Sequence, residues 1–344
     1  MSVPAGQATS FPPDPLFLGF DVGGTNIKMG LVDNQGRTLV KTMIPTHQER
    51  GPADACRRMT EVGRQLTADA GVDFAQVATI GLATPGTMDI AAGLLLQPHN
   101  LPAWWEFPIR DCLIETIGKP VAFANDANAA AFGEFWVGSG ARYHSIVLFT
   151  LGTGVGGGII IGDLSVDGEH SHGSECGHIH IEFGPHARIC GCGQRGHLEA
   201  YTSAKAVVQR TKEALFSGRS SSLRDRLGAG GELTSLMVAE EASRDDRLCL
   251  EIVMETARFL AIGAVNLMHV IDPGAVIFGG AMNFGGPDSD LGRRFLERIR
   301  SEVRLRAFPT LAASTAIEFA QLGGDAGYIG AAGIARLQHQ RSRR

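Results

Sequence analysis

The sequence has no apolar run of the ~18 residues that a membrane span requires. Its longest apolar segments, such as "SIVLFT" and "GAVIFGG", have only strand length. It has no excess of basic charge either. The 31 lysines and arginines stand against 36 aspartates and glutamates, a formal net charge of −5, which argues against a general nucleic-acid binder with a basic face. Its six cysteines, at 56, 112, 176, 190, 192 and 249, are scattered without a disulfide framework, and this points to the cytoplasm. The opening "MSVPAGQATSFPPDP" lacks the basic and apolar regions of a secretory signal and reads as a loose tail. Charged residues are sparse at 19%, but 44% of the chain is apolar, which is globular rather than disordered.

Glycine is what the chain has in plenty, 45 in all and many in short clusters, as where backbone turns tightly or approaches a ligand. "LFLGFDVGGTNIKMGLVD" reads as strand, glycine turn, strand, and "RTLVKTMIP" as a third strand. "ADACRRMTEVGRQLTADAG" has helical spacing and ends at a glycine; "VATIGLATPG" is a buried strand running into a Pro-Gly turn. "PVAFANDANAAAFGEFW" follows as strand, polar junction and helix. The pattern then restarts at "HSIVLFTLGTGVGGGIIIGD", a faint internal repeat that suggests two related halves. A long helix, "RLCLEIVMETARFLAIGAVNLMHVID", leads into the strand "AVIFGG". This order of strands and helices predicts an α/β fold with a twisted sheet in each half and a ligand cleft between them.

A single turn such as "DVGGTNIK" is also an ordinary hairpin. Three glycine clusters at strand ends are more than hairpins need: Gly23 and Gly24, the "LGTGVGGG" run with Gly152, Thr153 and Gly154, and Gly279 and Gly280. A nucleotide laid across a cleft would use them for its phosphates and adenosine, with Thr25, Asn26 and Lys28 adding polar groups and a positive charge. Asp21, at the end of the first strand, is suited to hold a magnesium ion through water. "ANDANAA" puts Asp126 at a strand end, where a carboxylate can take a proton from a phosphoryl acceptor. The same position equally suits a helix cap, a role favoured for both Asn125 and Asp126. Cys190 and Cys192, with histidines close by, can hold a metal or be plain thiols. A redox pair would be spaced Cys-x-x-Cys.

Taken together, "DVGGTNIK", "LGTGVGGG" and "CGCGQRGHLE" resemble the ROK family of sugar kinases and sugar-responsive repressors, from about Leu16 to about Gly333. The resemblance implies the actin-like, hexokinase-like ATPase fold, with two α/β domains and a cleft. The first would span 16–124 plus a C-terminal helix at about 324–340, the second 125–323. It implies that Asp126 is the catalytic base and that Asn125, Glu175, His178 and Glu199 bind the sugar, together with Gly86 and Asn100 from the other domain. It further implies a structural zinc ion held by His178, Cys190, Cys192 and position 197, where most members carry cysteine and this chain carries His197. Cys176, between Glu175 and Gly177, is a smaller departure from the family's pattern. His170, His172, His180 and His186 lie near enough to compete for the ligand roles. Trp104 and Trp105 could stack on a sugar, with at least one expected only to pack.

The expected reaction is ATP-dependent phosphorylation of a hexose, with Mg2+. Glucose is expected to be the substrate, since nothing indicates room for an acetamido group. N-acetylmannosamine, N-acetylglucosamine, fructose and allose kinases share the motifs, and so do repressors. A repressor fits poorly, because some twenty residues rich in proline precede Asp21 where a helix-turn-helix would be needed. An actin-like or chaperone ATPase would leave the sugar-side carboxylates without a purpose. The resemblance also implies a homodimer or homotetramer, for which the helix at 247–272 offers a surface.

Overall fold

The structure is a computed structural model that describes residues 14–344 apart from His99 and Ala229, so the first 13 residues of the tail lie outside the described residues. One compact unit takes in the described residues up to Ala124 together with Ala331–Arg344. Its strands are β1 (Leu16–Val22), β2 (Asn26–Val32), β3 (Thr38–Pro45) and β4 (Val77–Thr84), with a small ribbon of β5 (Thr87–Asp89) and β6 (Leu94–Gln97), and then β7 (Val121–Asn125). The five-stranded sheet runs β3-β2-β1-β4-β7. β1 is antiparallel to β2 and parallel to β4. Position in the sheet follows the apolar pattern. β1 and β4 are nearly continuous apolar runs and lie inside, whereas β3 alternates half-buried and exposed residues and forms an edge. Helices α1 (Pro52–Asp69) and α2 (Ile109–Ile117) and the C-terminal helical stretch 331–341 complete the unit. Proline at the first position of α1 suits a helix start. Its buried stripe of Ala55, Cys56, Met59 and Leu66 joins Leu18, Phe20 and Ile80 in one core.

The second unit is Asn125–Gly330. It holds α3 (Asp126–Val137), β8 (Ser145–Leu151), β9 (Val155–Ile161) and β10 (Leu164–Ser165), followed by α4 (Glu199–Thr202), α5 (Ala204–Phe216), α6 (Leu223–Leu227), α7 (Ser235–Ala242) and α8 (Arg247–Ile271). β11 (Ala275–Gly279), α9 (Asp290–Arg306), α10 (Pro309–Ser314), β12 (Ala316–Phe319) and α11 (Ala326–Arg341) close the sequence of elements. Its sheet runs β10-β9-β8-β11-β12, the same plan as in the first unit: an antiparallel hairpin whose first strand has a parallel neighbour. Phe149 of β8 and Phe278 of β11 stack with centroids 5.4 Å apart at the centre of this core. α8 is capped by Asp246, which accepts from the Cys249 amide at 2.9 Å. Its apolar stripe, from Leu248 through Ile252, Leu260 and Ala264 to Met268, is buried in this core. The helix at 247–272 therefore has Val270 exposed, but not its main apolar face.

The chain leaves the second unit within α11, between Gly330 and Ala331, where the sequence placed the change near 324. The start of α11 packs backbone to backbone on α3. A Cβ on Gly133 would fall 2.5 Å from the Ala326 carbonyl oxygen, and one on Gly330 would fall 1.6 Å from that of Ala129. These glycines serve close helix packing rather than a turn or a ligand. Gly330→Ala should therefore lower stability by about 1–3 kcal/mol or more through overpacking. A denaturant titration that gives an unchanged midpoint would contradict this packing.

Candidate active site

In the first unit, the turn between β1 and β2 is held by its own backbone and by the end of β3. The Gly23 amide donates to Asn26 O at 2.8 Å; the Thr46 hydroxyl donates to Gly23 O at 2.6 Å and the Thr46 amide to Thr25 O at 2.8 Å. Thr46 is fully buried, and nothing in its local sequence marks it, since only the β2–β3 register brings it here. Gly24 and Thr25 are exposed; Asp21 stands opposite Lys28 in the β1–β2 register, both half-buried. Directly opposed residues share a face, so opposite charges flank the turn. A Cβ on Gly24 would lie 3.5 Å from the Asn100 Cβ, so the glycine turn and Asn100 are neighbours. Gly86 has φ +92°, and a Cβ there would meet Pro98 Cα at 2.4 Å, so the fold itself demands glycine. Trp104 is buried and donates to Gln48 O at 3.2 Å, whereas Trp105 is exposed.

In the second unit, β7 delivers Asn125 and Asp126 to the start of α3. Asn125 is the cap, its side-chain oxygen accepting from the Ala127 and Asn128 amides at 2.9 and 3.3 Å. Asp126 Oδ1 accepts from the Ala127 amide at 2.8 Å. Burial, and secondarily the negative charge of Glu175, push the Asp126 carboxyl above the usual carboxylate range. Asn128, the third residue of α3, is buried and donates to Asp167 Oδ1 at 2.7 Å, while its own Oδ1 has no partner. Burial also raises the Asp167 carboxyl. The sequence reading passed over this pair, though an asparagine inside the apolar "DANAAAF" was a visible signal.

The irregular segment before α4 brings His178, Cys190, Cys192 and His197 together, with ligand atoms all within 4.8 Å of one another. His178 Nδ1 lies 3.3 Å from His197 Nδ1 and 3.7 Å from Cys190 Sγ, and Cys192 Sγ lies 3.3 Å from His197 Nδ1. A tetrahedral zinc ion with bonds of about 2.0–2.3 Å sets its ligand atoms about 3.3–3.8 Å apart, so this donor set fits. His170, His172, His180 and His186 lie outside the group, although the His180 ring packs edge-on to His197 with centroids 4.6 Å apart. Burial pushes the Cys190 thiol up to about 12, so a metal would have to displace its proton. The other nitrogen of His178, Nε2, faces Glu175 at 3.8 Å. Cys176 is buried against Gly157 and its thiol is pushed up to about 12 by burial, which makes it a packing residue.

Glu199, the first residue of α4, touches both the metal cluster and the second glycine turn. Its Oε1 lies 3.5 Å from Cys190 Sγ, and its Oε2 accepts from the Val155 amide at 2.9 Å. At the other end of α4, the buried Arg210 donates to Tyr201 O at 2.9 Å. A Cβ on Gly152 would meet nothing within 4 Å, and Thr153 is exposed. Gly280 has φ +92° and lies against Leu151, whose carbonyl oxygen would be 2.2 Å from a Cβ, and Gly279 packs on Ala320. The third glycine cluster thus supports the second.

The ROK family model matches residues 17–338. The glucokinase of Thermotoga maritima is 32% identical over 322 residues, 94% of this chain and 98% of that protein. Among solved structures, a ROK hexokinase from Thermus thermophilus has a TM-score of 0.79 at 29% identity, with 95% of this chain and 99% of that one covered. A ROK family glucokinase from Streptomyces griseus, in complex with glucose and AMPPNP, has a TM-score of 0.73 at 32% identity, covering 94% and 99%. No helix among the described residues is long and apolar enough to cross a membrane.

Proposed function

The chain belongs to the ROK family, whose structures share the hexokinase-like actin fold, and from that premise we propose that it transfers the γ-phosphoryl group of ATP to a hexose, with glucose as its preferred acceptor. The observation that carries the reading is the division of labour at the start of α3. Asn125 does the capping, and of the two Asp126 oxygens it is Oδ1 that accepts from the Ala127 amide at 2.8 Å, which leaves Oδ2 for a substrate hydroxyl. That oxygen takes the proton of the sugar hydroxyl as the hydroxyl oxygen attacks the γ-phosphorus. The bond to the β–γ bridging oxygen breaks and ADP leaves with that electron pair.

A base raised above the ordinary carboxylate range meets the acidity of an alcohol better than a solvated aspartate does. Glu175, Glu199 and the Nε2 side of His178 offer acceptors and a donor to the remaining hydroxyls, as polyols require. Asn100 and Gly86 would offer an amide and backbone groups to sugar hydroxyls. The turns at Gly23–Asn26 and Gly152–Gly154 would cradle phosphates with backbone amides, helped by Lys28, while Gly279 and Gly280 back the nucleotide side. Asp21 is a hard oxygen ligand suited to hold Mg2+, which neutralises phosphate charge when bound. His178, Cys190, Cys192 and His197 would hold a structural zinc ion that orients the His178 ring and fixes the loop of Glu199.

A panel of hexoses with ATP, scored by ADP release, tests the reading. Glucose should give the highest kcat/KM. A higher value with N-acetylmannosamine, N-acetylglucosamine or fructose would reassign the acceptor, and no sugar-dependent release would end the kinase reading. The pH profile gives a second prediction. Because the Asp126 carboxyl is raised and the base works unprotonated, the acid limb of kcat should lie above the usual carboxylate range. Glu175→Gln removes a charge that raises it, so the limb should move to lower pH at saturating sugar. A limb that stays in place or moves up would contradict this coupling.

A further inference from the structure

We infer that Glu199 is a positioning residue for the nucleotide's phosphates, a strut that fixes the second glycine turn, in addition to any bond it makes to sugar. This rests on the kinase reading of the turn. The turn Gly152–Thr153–Gly154 joins β8 to β9 with one internal bond, from the Gly152 amide to Gly154 O at 3.0 Å. Neither of its glycines takes a positive φ, so no left-handed residue sets its shape. Among the described residues, Glu199 is the one side chain that hydrogen-bonds the backbone from Leu151 to Val155, through Oε2 and the Val155 amide at 2.9 Å.

The surroundings leave that carboxylate little freedom. A Cβ on Gly154 would fall 2.5 Å from Oε2. Gly177 backs the next peptide, since a Cβ there would lie 2.0 Å from Val155 O. One helix further on, the Ala204 amide donates to Gly152 O at 2.9 Å. Residues 199–204 therefore grip the turn at both ends, and Arg210 holds Tyr201 between those two grips. A bond from an amide to a carboxylate is stronger than a neutral one, and here it fixes the peptide that leads out of the phosphate turn.

An anion next to a phosphate turn is otherwise unfavourable for phosphate, and this separates the strut from a simple charge effect. Glutamine keeps an acceptor oxygen for the Val155 amide and drops the charge; alanine loses both. The test is titration calorimetry of ADP with Mg2+ on the zinc-loaded protein, with hydrogen exchange at residues 152–156. Glu199→Ala should weaken ADP about tenfold or more, the worth of one charge-assisted bond, and speed exchange of the Val155 amide. Glu199→Gln should bind ADP as well as the parent or better, while losing sugar affinity.

Gly154→Ala, which pushes on Oε2 without removing a ligand of either substrate, supplies the second arm. It should weaken ADP alone but add little in the double variant with Glu199→Ala. Unchanged ADP affinity and unchanged Val155 exchange in Glu199→Ala would overturn the inference, as would equal tightening in both Glu199 variants. A parent protein that binds no ADP would instead bring down the kinase reading itself, and the strut with it.

Discussion

Asp126→Asn should lower kcat about 10²- to 10⁴-fold, the range for losing a general base, with glucose affinity largely intact. The amide can still accept from the Ala127 N–H, as Asp126 Oδ1 does at 2.8 Å, so the geometry at the start of α3 should persist. What it cannot do is accept a proton. The effect on stability has the opposite sign. The folded carboxyl is raised above its unfolded value, so the fold favours the neutral form. The stability linked to that preference is present below the unfolded pKa and is lost as pH rises through the folded one. At neutral pH the substitution should therefore melt no lower than the parent. A variant with near-normal turnover would return Asp126 to a capping role beside Asn125.

Cys190→Ala and Cys192→Ala should each abolish stoichiometric zinc, weaken glucose binding and lower the melting temperature. A structural zinc site contributes directly to folding, and the two thiols anchor a segment that is otherwise mostly irregular between β10 and α4. The loss should reach the sugar through His178, whose Nδ1 faces the cluster while Nε2 faces Glu175, and through Glu199 beside Cys190. His197→Cys should keep the metal, since thiolate serves as well as imidazole in a closed tetrahedral set. Metal content by plasma emission, read with a glucose titration, checks all three. Purified parent protein with full glucose affinity and no zinc would contradict the metal centre.

Much of this was legible because it is local. The apolar runs flanking "GG" at 23–24 and "GTG" at 152–154 give away two hairpins, and their recurrence gives away two sheets of one plan. Asn125 was recognisable as a cap by residue type, and three of the four clustered ligand atoms come from eight consecutive residues, 190–197. What stayed hidden depends on register and packing across long separations. Thr46 secures the first turn from 23 residues away, Asn128 meets Asp167 across 39, and Glu199 meets Val155 across 44. Glycine was also ambiguous. Gly330 and Gly133 let helices touch, and sequence alone does not distinguish them from glycines that leave room for phosphate.

The central claim, transfer of phosphoryl from ATP to a sugar hydroxyl, is tested most directly by following the label of [γ-32P]ATP in the presence of glucose. Radioactive sugar monophosphate should appear in step with ADP, with little label released as inorganic phosphate. Label recovered entirely as inorganic phosphate, at a rate indifferent to sugar, would contradict it and identify an ATPase instead.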